Sequence, residues 1–503
     1  MKSTKLNRRA FLRTAFGAAT ALAITNMFCS PGKNRNLPNI VYILADDMGY
    51  GDISILNKNS KIHTPNIDRI GKEGVIFTDA HSGSAVCTPT RYGILTGRYS
   101  WRTRLKKGVL FGYSEHLIED ERLTVPGLLK KHGYNSACIG KWHLGMDFQK
   151  KSDHPKDVDW KAPIQNGPLT NGFDYFFGIS ASLDMDPYIF IENDRFLGEC
   201  TIEVPRSKHI RKGPAEKNFR FEDVLPTLTG RTVQYIDEQD GSQPFFVYLA
   251  LTAPHTPIVP ANQFQGINSL GSYGDFCQQV DWTIGPVLDI LDKKGFSDNT
   301  LVIFTSDNGC APYIGVKALE EKGHYPSYIY RGYKADIFEG GHRIPFLVRW
   351  PNQIKPQRHC TETICLTDLL ATCAAIVGDE LPDNAGEDSY NILPALLGQT
   401  REKPIREATV HHSINGSFSI RQGKWKLILC PGSGGWSYPK PVKAKEMNLP
   451  PIQLYDLTQD VPEQKNVYKE HPDVVERLRD LLQKYILNGR STPGKPQPYC
   501  ITS

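Results

Sequence analysis

The chain has 503 residues, of which 40% are hydrophobic and 22% are charged. These proportions are ordinary for a soluble globular protein with a substantial core, built as one large domain with additions or as a few smaller domains. The formal net charge is +5, from 59 basic and 54 acidic residues spread along the chain. No long basic run follows the N-terminal segment, which argues against nucleic acid as a partner.

The first 30 residues have the pattern of an export signal. Arg8 and Arg9 open a basic segment that is followed by the apolar stretch 15–28. Paired arginines favour the twin-arginine export machinery, and the stretch is short for a membrane span of roughly 20 residues. Cys29 is a candidate lipidation site, although positions 26–28 lack the small residues that lipoprotein signals prefer. We expect an exported protein in the periplasm or at the cell surface, and leave open lipidation and an uncleaved membrane anchor.

Apolar runs and helical spacing alternate along most of the chain. Buried parallel strands are predicted for the apolar runs at 40–44, 136–139, 245–251, 301–304 and 346–348. Thr124 can cap a helix that ends at Gly133, and apolar residues between 276 and 291 follow helical spacing up to Gly295. This alternation predicts an α/β domain with a large, mostly parallel sheet flanked by helices.

The pattern changes near Lys403. Residues 409–429 alternate as short strands around two glycine turns, 432–451 is rich in Gly and Pro and indicates a loop, and 474–485 has the spacing of an amphipathic helix. We therefore expect a smaller C-terminal antiparallel sheet with a helix. The predicted parts are an export signal at 1–30, a main domain at 31–403 and a C-terminal subdomain at 404–503.

Polar residues follow three of the predicted strands. Asp46 and Asp47 follow the first, His255 follows the run 245–251, and Asp307 and Asn308 follow the run 301–304. Ligands of open α/β sheets bind outside the carboxyl ends of the strands, so these side chains are expected to meet at one site. Carboxylate and amide oxygens suit Ca²⁺ or Mg²⁺ better than zinc. Taken singly, an Asp-Asp pair is more often a turn or helix cap, and Asp-Asn-Gly is itself a turn signal.

The most specific segment is Cys-Thr-Pro-Thr-Arg at 87–91, followed by Leu-Thr-Gly-Arg at 95–98. It resembles the signature of the formylglycine-dependent sulfatases, of the arylsulfatase A and N-acetylgalactosamine sulfatase type within the alkaline phosphatase superfamily. In that family a maturase oxidises the cysteine to formylglycine (3-oxoalanine). The resemblance extends over nearly all of the mature chain, and the other positions of the family pattern are matched by Asp46, Asp47, Lys141, His143, His255, Asp307, Asn308 and Lys334.

The resemblance implies a role for each matched residue. Hydrolysis of a sulfate monoester needs cations around the sulfuryl oxygens, a strong nucleophile and a proton for the leaving group. The family pattern implies a hydrated formylglycine at Cys87 as nucleophile. It also implies Ca²⁺ or Mg²⁺, with a ligand set made up of Asp46, Asp47, the modified Cys87, Asp307 and Asn308. It further implies that Arg91 and Lys141 hold the oxygens of the nucleophile or of the sulfate, and that Lys334 neutralises the sulfate. His255 would donate a proton to the leaving group, and His143 would accept the proton of the remaining hydroxyl.

Three residues are candidates for binding the sugar part of the substrate. Asp184 and Asp186 could accept hydrogen bonds from sugar hydroxyls, with turn capping as the alternative, and His324 is a further candidate. Similarity to galactosamine sulfatases suggests exo-cleavage of a sulfated galactose or N-acetylgalactosamine during scavenging of sulfated glycans. Two rival functions stay open, which are a phosphonate or phosphate-ester hydrolase of the same superfamily and an inactive glycan-binding surface protein. The sequence does not indicate an oligomeric state.

Overall fold

The computed structural model describes residues 37–497. The predicted export signal and Cys29 lie outside this range. Within it, no helix is both long and apolar enough to cross a bilayer, and the nine cysteines of these residues form no disulfide.

A ten-stranded sheet runs through the main domain. In spatial order its strands are β13 (Arg358–Cys360), β2 (Val75–Phe77), β12 (Phe346–Arg349), β11 (Thr300–Ser306), β1 (Asn39–Asp46), β10 (Phe245–Pro254), β4 (Asn135–Lys141), β5 (Tyr175–Ile179), β6 (Ile191–Glu192) and β7 (Arg195–Phe196). The strands from β11 to β5 all pair in parallel. Antiparallel pairing is confined to the two flanks, where β12, β6 and β7 lie. The predicted fold class is therefore confirmed. The prediction of a parallel strand at 346–348 is wrong, since β12 pairs antiparallel with both of its neighbours; a short buried apolar run does not distinguish the two kinds of pairing.

Three smaller sheets complete the strand structure of the described residues. They are β3 (Ala80–His81) with β14 (Ile364–Cys365), β8 (Cys200–Val204) with β9 (Gly213–Glu216), and the antiparallel β15 (Thr409–His412), β16 (Phe418–Gln422), β17 (Trp425–Ile428) and β18 (Gln453–Asp456). The last of these is the small C-terminal sheet that the sequence predicts. The boundary placed at residue 403 stays a prediction.

Helices cover the sheets on their outer faces. They are α1 (Pro65–Lys72), α2 (Cys87–Thr96), α3 (Val125–Lys131), α4 (Val224–Asp237), α5 (Ser272–Lys293), α6 (Val316–Glu321), α7 (Glu339–His342), α8 (Leu369–Val377), α9 (Leu393–Leu396), α10 (Pro441–Glu446) and α11 (Pro472–Leu487). The Thr124 hydroxyl accepts a hydrogen bond from the Gly127 amide at 3.1 Å, which confirms the predicted cap of α3. We expected a loop in the segment where helix α10 lies. A helix forms there because its proline, Pro441, is at the first helical position, where proline is tolerated.

Clusters of buried apolar side chains hold these layers together. The parallel strands are buried along their whole length, and their side chains pack with those of α4 and α5 in one cluster. A second cluster joins the small sheet to α11, through Ile420 and Leu427 on the strands and Leu478, Leu482 and Tyr485 on the helix. The apolar spacing of 474–485 thus faces the small sheet, as an amphipathic helix requires.

The register of the parallel strands brings four polar strand ends together. Strand β1 lies between β10 and β11, with Asp46 opposite Pro254 and Ala45 opposite Ser306. Strand β4 follows β10 and ends at Lys141. Because parallel strands end at the same edge of a sheet, the residues after β1, β10, β11 and β4 meet at one edge.

Gly140 offers a test of how closely these strands approach. It has a φ of 120° and lies directly before Lys141, and a Cβ there would be 1.8 Å from the carbonyl oxygen of Ala250. Gly140→Ala must therefore displace backbone, and we expect it to lower the free energy of unfolding by at least about 2 kcal/mol. Denaturant unfolding measures this.

The matched control is Gly230→Ala on α4, where the added Cβ meets no atom within 4 Å and φ is not positive. An alanine in a helix is expected to leave stability unchanged or raise it by about 0.5–1 kcal/mol. Equal stability of the Gly140→Ala protein and its parent would contradict the close approach of β4 and β10.

Candidate active site

Four oxygen-bearing side chains meet at the carboxyl ends of β1 and β11. Asp46 ends β1, and Asp47 follows it with a φ of 67°. The Asp47 amide donates to Asp307 Oδ1 at 3.2 Å, and Asn308 Nδ2 donates to Asp47 Oδ1 at 2.7 Å. All four side chains are at most 2% exposed. The strand ends thus bring the predicted metal ligands into one buried cluster.

The donor set fits a hard divalent cation. Asp46 Oδ1 and Asn308 Oδ1 are buried and have no hydrogen-bond partner among the described residues. Ligand atoms of Asp46, Cys87 and Asp307 lie within 4.8 Å of one another, and so do those of Asp46, Asp47 and His255. Buried acceptors without a donor are costly, and oxygen donors of this kind are those that Ca²⁺ and Mg²⁺ prefer.

Three buried cations are paired with the three carboxylates. Lys141 Nζ donates to Asp46 Oδ2 at 2.7 Å, Arg91 Nη2 lies 2.8 Å from Asp307 Oδ2, and Lys334 Nζ lies 2.7 Å from Asp47 Oδ1. Arg91 also donates through Nη1 to the carbonyl of Lys141 at 3.0 Å. The predicted residues Arg91, Lys141 and Lys334 are therefore all in contact with the predicted metal ligands.

These pairs determine the protonation of the cluster. Burial alone would raise the pKa of Asp46, but the charges of Lys141, His255 and Arg91 outweigh it and hold the pKa well below its usual range. Burial would lower the pKa of Lys334, but the carboxylate of Asp47 raises it well above the ordinary value. Asp46 is thus ionised and Lys334 protonated at neutral pH.

Cys87 is the first residue of α2 and is buried beside this cluster. Burial raises the pKa of its thiol, in spite of the opposing charges of Lys141 and Lys334. A thiol with a raised pKa stays protonated at neutral pH and is a weak nucleophile. The environment of Cys87 therefore does not favour catalysis by an unmodified thiolate.

His143 is buried, with a φ of 59°, two residues after the end of β4. Its Nε2 lies 2.8 Å from the carbonyl oxygen of Leu110, so Nε2 carries the hydrogen. Its Nδ1 is buried and has no hydrogen-bond partner among residues 37–497. Burial, together with the charges of Lys141 and Arg91, holds the pKa of His143 well below its usual value. The ring is therefore neutral and offers a free lone pair.

His255 contacts the cluster and also lines the cavity that opens to solvent. Its Nδ1 is 2.5 Å from the carbonyl oxygen of Thr256 and 3.2 Å from the hydroxyl of Ser182. Its Nε2 is 3.6 Å from Asp47 Oδ2. The carbonyl of Thr256 fixes a hydrogen on Nδ1, which leaves Nε2 as the ring nitrogen able to exchange a proton.

A cavity of about 1020 Å³ opens from this cluster to solvent. Cys87, His255 and Lys334 line it together with the expected substrate residues Asp184 and Asp186. Its walls also carry basic and aromatic side chains, which are Lys107, Phe111, Lys156, Arg206, Lys208, His209, Arg211, Lys212, Tyr313 and Trp436. The cavity is at the upper end of the roughly 300–1,000 Å³ range of small-molecule sites, so it has room for more than one sulfate group.

Asp184 and Asp186 differ in how they are held. Asp186 is nearly buried and forms an ion pair with Lys156 at 2.7 Å. Asp184 lies 3.5 Å from Arg211 through Oδ2, while its Oδ1 is buried without a hydrogen-bond partner in the described part of the chain. Both residues line the cavity, and Asp184 keeps an acceptor that no hydrogen bond of the described residues uses.

His324 lies elsewhere, in contrast to our expectation. Its ring is completely buried, with Nε2 2.9 Å from Asp52 Oδ1, and Nδ1 accepts a hydrogen bond from the Lys61 amide at 3.3 Å. It is not among the residues that line the cavity. Both ring nitrogens are used in holding two loops together, so His324 has a structural role and does not reach the substrate.

Two parts of the cavity wall were missed from the sequence. The loop at 206–212 carries a local run of basic residues, which was the available signal. Trp436 comes from the Gly- and Pro-rich segment of the C-terminal region, far along the chain from Cys87, and nothing local in the sequence indicates that it reaches the site.

A second buried cluster could also be considered for a metal, but its contacts argue against one. The rings of His81, His342 and His411 lie close together. However, Lys426 Nζ is 3.0 Å from His342 Nε2, and Arg421 Nη1 is 2.9 Å from His81 Nε2. Cationic side chains at these ring nitrogens repel a metal ion, so this cluster joins the main domain to the small sheet by hydrogen bonds instead.

Comparison with known proteins agrees with this site. The family model described as Sulfatase matches residues 38–378. An N-acetylgalactosamine-6-O-sulfatase of Bacteroides thetaiotaomicron is 35% identical, covering 90% of this chain and 94% of that protein. An N-acetylgalactosamine-6-sulfatase of Mus musculus is 31% identical, covering 79% of this chain and 73% of that protein.

Solved structures give the same result. One, described under the metabolism of multiple glycosaminoglycans by Bacteroides thetaiotaomicron, has a TM-score of 0.79 and 34% identity, covering 89% of this chain and 99% of that chain. The PsFucS1 sulfatase from Pseudoalteromonas sp. has a TM-score of 0.68 at 21% identity, covering 96% and 94% of the two chains, and shows the shared fold. The chain belongs to the sulfatase family. It is a hydrolase of sulfuric esters.

Asp336 is a positioning residue that the sequence did not reveal. It is completely buried, two residues after Lys334, and its Oδ1 accepts hydrogen bonds from the amides of Trp436 at 2.9 Å and Ser437 at 3.0 Å. Its Oδ2 accepts from the Tyr333 amide at 2.9 Å and from the hydroxyl of Ser437. One carboxyl group therefore ties the Lys334 segment to the loop that brings Trp436 to the cavity.

We expect Asp336→Ala to raise KM for a sulfate ester about tenfold while changing kcat less, because the Trp436 loop loses its anchor and the hydrogen bonds to a charged group that hold it. Steady-state kinetics measures the split between KM and kcat, and Asp336→Asn should restore part of the loss. Asp240→Ala removes an exposed carboxylate remote from the cavity and serves as the control. A KM unchanged by Asp336→Ala would rule out this positioning role.

Proposed function

We propose that the protein removes a sulfate group from a sulfated galactose or N-acetylgalactosamine unit, acting from the end of a glycan. The observation that carries this proposal is the cavity that ends at Cys87, His255 and Lys334, directly beside four buried oxygen ligands. The names of the relatives, which are N-acetylgalactosamine-6-sulfatases, support a 6-sulfated amino sugar. The glycosaminoglycan context of the similar solved structure supports a glycan substrate.

The proposed chemistry needs two groups that the polypeptide does not supply as translated. We propose that a maturase converts Cys87 to formylglycine and that Asp46, Asp47, Asp307 and Asn308 hold Ca²⁺, with Mg²⁺ as the alternative. The unpartnered oxygens of Asp46 and Asn308 support the cation. Together these groups would supply a hydrated aldehyde as nucleophile and a positive charge that favours its deprotonated form.

The remaining steps are assigned to side chains of the chain itself. Lys334, held protonated by Asp47, would neutralise a sulfuryl oxygen. His255 lines the cavity with Nδ1 held by the carbonyl of Thr256, so its doubly protonated form would give the Nε2 proton to the departing sugar oxygen. His143 is neutral and has a free Nδ1, so it would accept the proton whose removal releases sulfate. The two histidines would thus transfer protons in opposite directions, with His255 as donor and His143 as acceptor.

Recognition of the sugar is assigned to the outer part of the cavity. Asp184 has a buried oxygen without a partner in the described chain, and is suited to accept a hydrogen bond from a sugar hydroxyl. Tyr313 and Trp436, whose ring centroids are 5.7 Å apart, supply apolar ring surface on the cavity wall. Asp186 is committed to Lys156 and would act by shaping this wall.

We also propose that the protein is exported, to the periplasm or the cell surface, with Cys29 as a candidate lipid anchor. The paired arginines Arg8 and Arg9 and the apolar stretch 15–28 support this proposal. Fractionation of the native host tests it, since recovery of the full-length chain only from the cytoplasm would exclude export. Metabolic labelling with a fatty acid tests the lipid, with Cys29→Ser as the control.

Cys87→Ser is expected to abolish turnover in a host whose maturase acts only on cysteine. Serine is isosteric but would remain a plain hydroxyl, which lacks the second hydroxyl needed to expel sulfate. Sulfate release and mass spectrometry of the peptide around residue 87 are measured together. Normal activity of the serine variant without formylglycine would refute the mechanism.

Asp307→Ala is expected to lose the bound cation and reduce kcat by more than about a thousandfold, since it removes a ligand and takes from Arg91 its nearest carboxylate. Metal analysis of the purified protein measures occupancy, and circular dichroism checks the fold. Asp223→Ala, an exposed carboxylate at the start of α4, is the control. Full metal occupancy in the Asp307→Ala protein would overturn the ligand assignment.

The substrate is tested by sulfate release from defined sugars. We expect 6-sulfated N-acetylgalactosamine and 6-sulfated galactose to be hydrolysed at least about tenfold faster than their 4-sulfated isomers, because a misplaced sulfate loses the near-attack geometry. A phosphate monoester of the same sugar is the comparison for the rival activity, and faster phosphate release would favour it. Glycan binding without any sulfate release, by protein that carries formylglycine, would favour a binding protein.

A further inference from the structure

The loop between β8 and β9 forms part of the wall of the catalytic cavity. Residues 206–212 of this loop all line the cavity that ends at Cys87. The loop carries Arg206, Lys208, Arg211 and Lys212, and it contains no acidic side chain. It is therefore a basic segment at the entrance to a site that binds an anion.

The loop has a defined conformation. The Ser207 amide donates to the carbonyl of Ile210 at 3.0 Å, which closes a turn. The Arg211 amide donates to the carbonyl of Asp184 at 3.0 Å, and the hydroxyl of Tyr188 donates to the carbonyl of Arg211 at 2.6 Å. These contacts join the loop to the segment that carries Asp184, so its basic side chains are held at the cavity.

Two of the basic residues are already engaged. Arg211 lies 3.5 Å from Asp184 and also over the ring of Phe111, 4.9 Å from its centroid. Lys212 forms an ion pair with Glu203 at 3.0 Å. Both have roles within the protein that account for their presence.

Arg206 and Lys208 are different. Both are exposed, both line the cavity, and neither has an ion-pair or hydrogen-bond partner for its side chain within residues 37–497. Lys107, from a separate part of the chain, lines the same cavity and is likewise unpaired there. The two acids that line this cavity, Asp184 and Asp186, lie next to other cations. The charges of Arg206, Lys208 and Lys107 are therefore not offset by a paired carboxylate, and an anion that binds among them is attracted by all three.

One sulfate group does not account for these cations. The sulfate to be cleaved must reach Cys87, at the inner end, where Lys334 and the other cations of the cluster lie. The loop cations line the outer wall of a cavity of about 1020 Å³, which also has the aromatic surface of Tyr313 and Trp436. An anion at the loop would therefore belong to a different group of the same substrate.

We propose that the 206–212 loop is a second anion subsite, in which Arg206 and Lys208 bind a carboxylate or a further sulfate on the sugar joined to the one that is desulfated. The preferred substrate is then an acidic oligosaccharide that carries at least two anionic groups. This inference rests on the proposed action on a sulfated sugar. It assigns specificity, and it leaves the chemistry at Cys87 unchanged.

The test uses full-length matured enzyme and four substrates with the same 6-sulfated terminal sugar. They are the free monosaccharide and disaccharides whose second sugar is neutral, a uronic acid, or sulfated. We expect kcat/KM to be about tenfold higher for the acidic disaccharides than for the neutral one, since two exposed ion pairs are worth about that factor. The uronic acid and sulfated arms show which anion the subsite prefers.

Arg206→Gln/Lys208→Gln should remove this preference through KM, while the monosaccharide and the neutral disaccharide change less than about twofold. Lys58→Gln/Lys217→Gln is the matched control, because it removes the same charge from exposed positions that do not line the cavity. The preference should also fall as salt is raised.

Three results would overturn the subsite. These are no preference for acidic disaccharides in the parent enzyme, an equal loss on all four substrates in the loop variant, or an equal loss in the control variant. If none of the sugars is hydrolysed but an aryl sulfate is, the proposed function fails separately. The subsite is then tested by inhibition of aryl sulfate hydrolysis with a uronic acid oligosaccharide, which should inhibit the parent enzyme more strongly than the loop variant. Equal inhibition of the two proteins would refute the subsite.

Discussion

The structure depends on three carboxylates that are buried together. Asp46, Asp47 and Asp307 would repel one another and lose hydration, which makes such a cluster very unfavourable without compensation. Lys141, Arg91 and Lys334 each pair with one of them. Even so, one oxygen each of Asp46 and Asn308 has no hydrogen-bond partner in the described chain. The three positive and three negative charges thus balance, but the hydrogen bonding of the cluster is incomplete. A divalent cation would bind the oxygens left without a donor, at a position that the parallel strands hold in place.

The C-terminal region is part of the catalytic cavity as well as a separate packing unit. Asp336 ties the Lys334 segment to the loop that carries Trp436. Lys426, on the small sheet, contacts His342 and lies 2.8 Å from Glu463 and 3.1 Å from Glu339. Because removing one partner of a buried charged network leaves the others unpaired, these contacts hold the small sheet against the helix Glu339–His342, which follows the Lys334 segment.

The catalytic cluster could be predicted from the sequence because strand ends determine it. Once residues 40–44 and 301–304 are taken as parallel strands, Asp46 and Asp307 must lie at the same edge of the sheet. The cap at Thr124 was likewise local and is confirmed. The assignment of His324 to the substrate failed because its environment is set by Asp52, which lies 272 positions earlier. The contribution of Trp436 depends on tertiary contacts of the same kind, and a local pattern does not contain them.

The residues that act on the sulfate and the residues that would recognise the rest of the substrate lie on different kinds of structure. Side chains at strand ends are fixed by the register of a buried sheet, so the groups that act on sulfate share one rigid frame. The groups at the outer wall lie outside the strands of the large sheet, at 184–186, 206–212, 313 and 436, on segments that can change in sequence without disturbing that frame. Unpaired basic residues on the 206–212 loop cost little stability, since they are hydrated at the surface. The fold therefore needs no further interaction to accommodate these residues beside an anion-binding site. Their charge contributes to binding when the substrate carries a second anionic group.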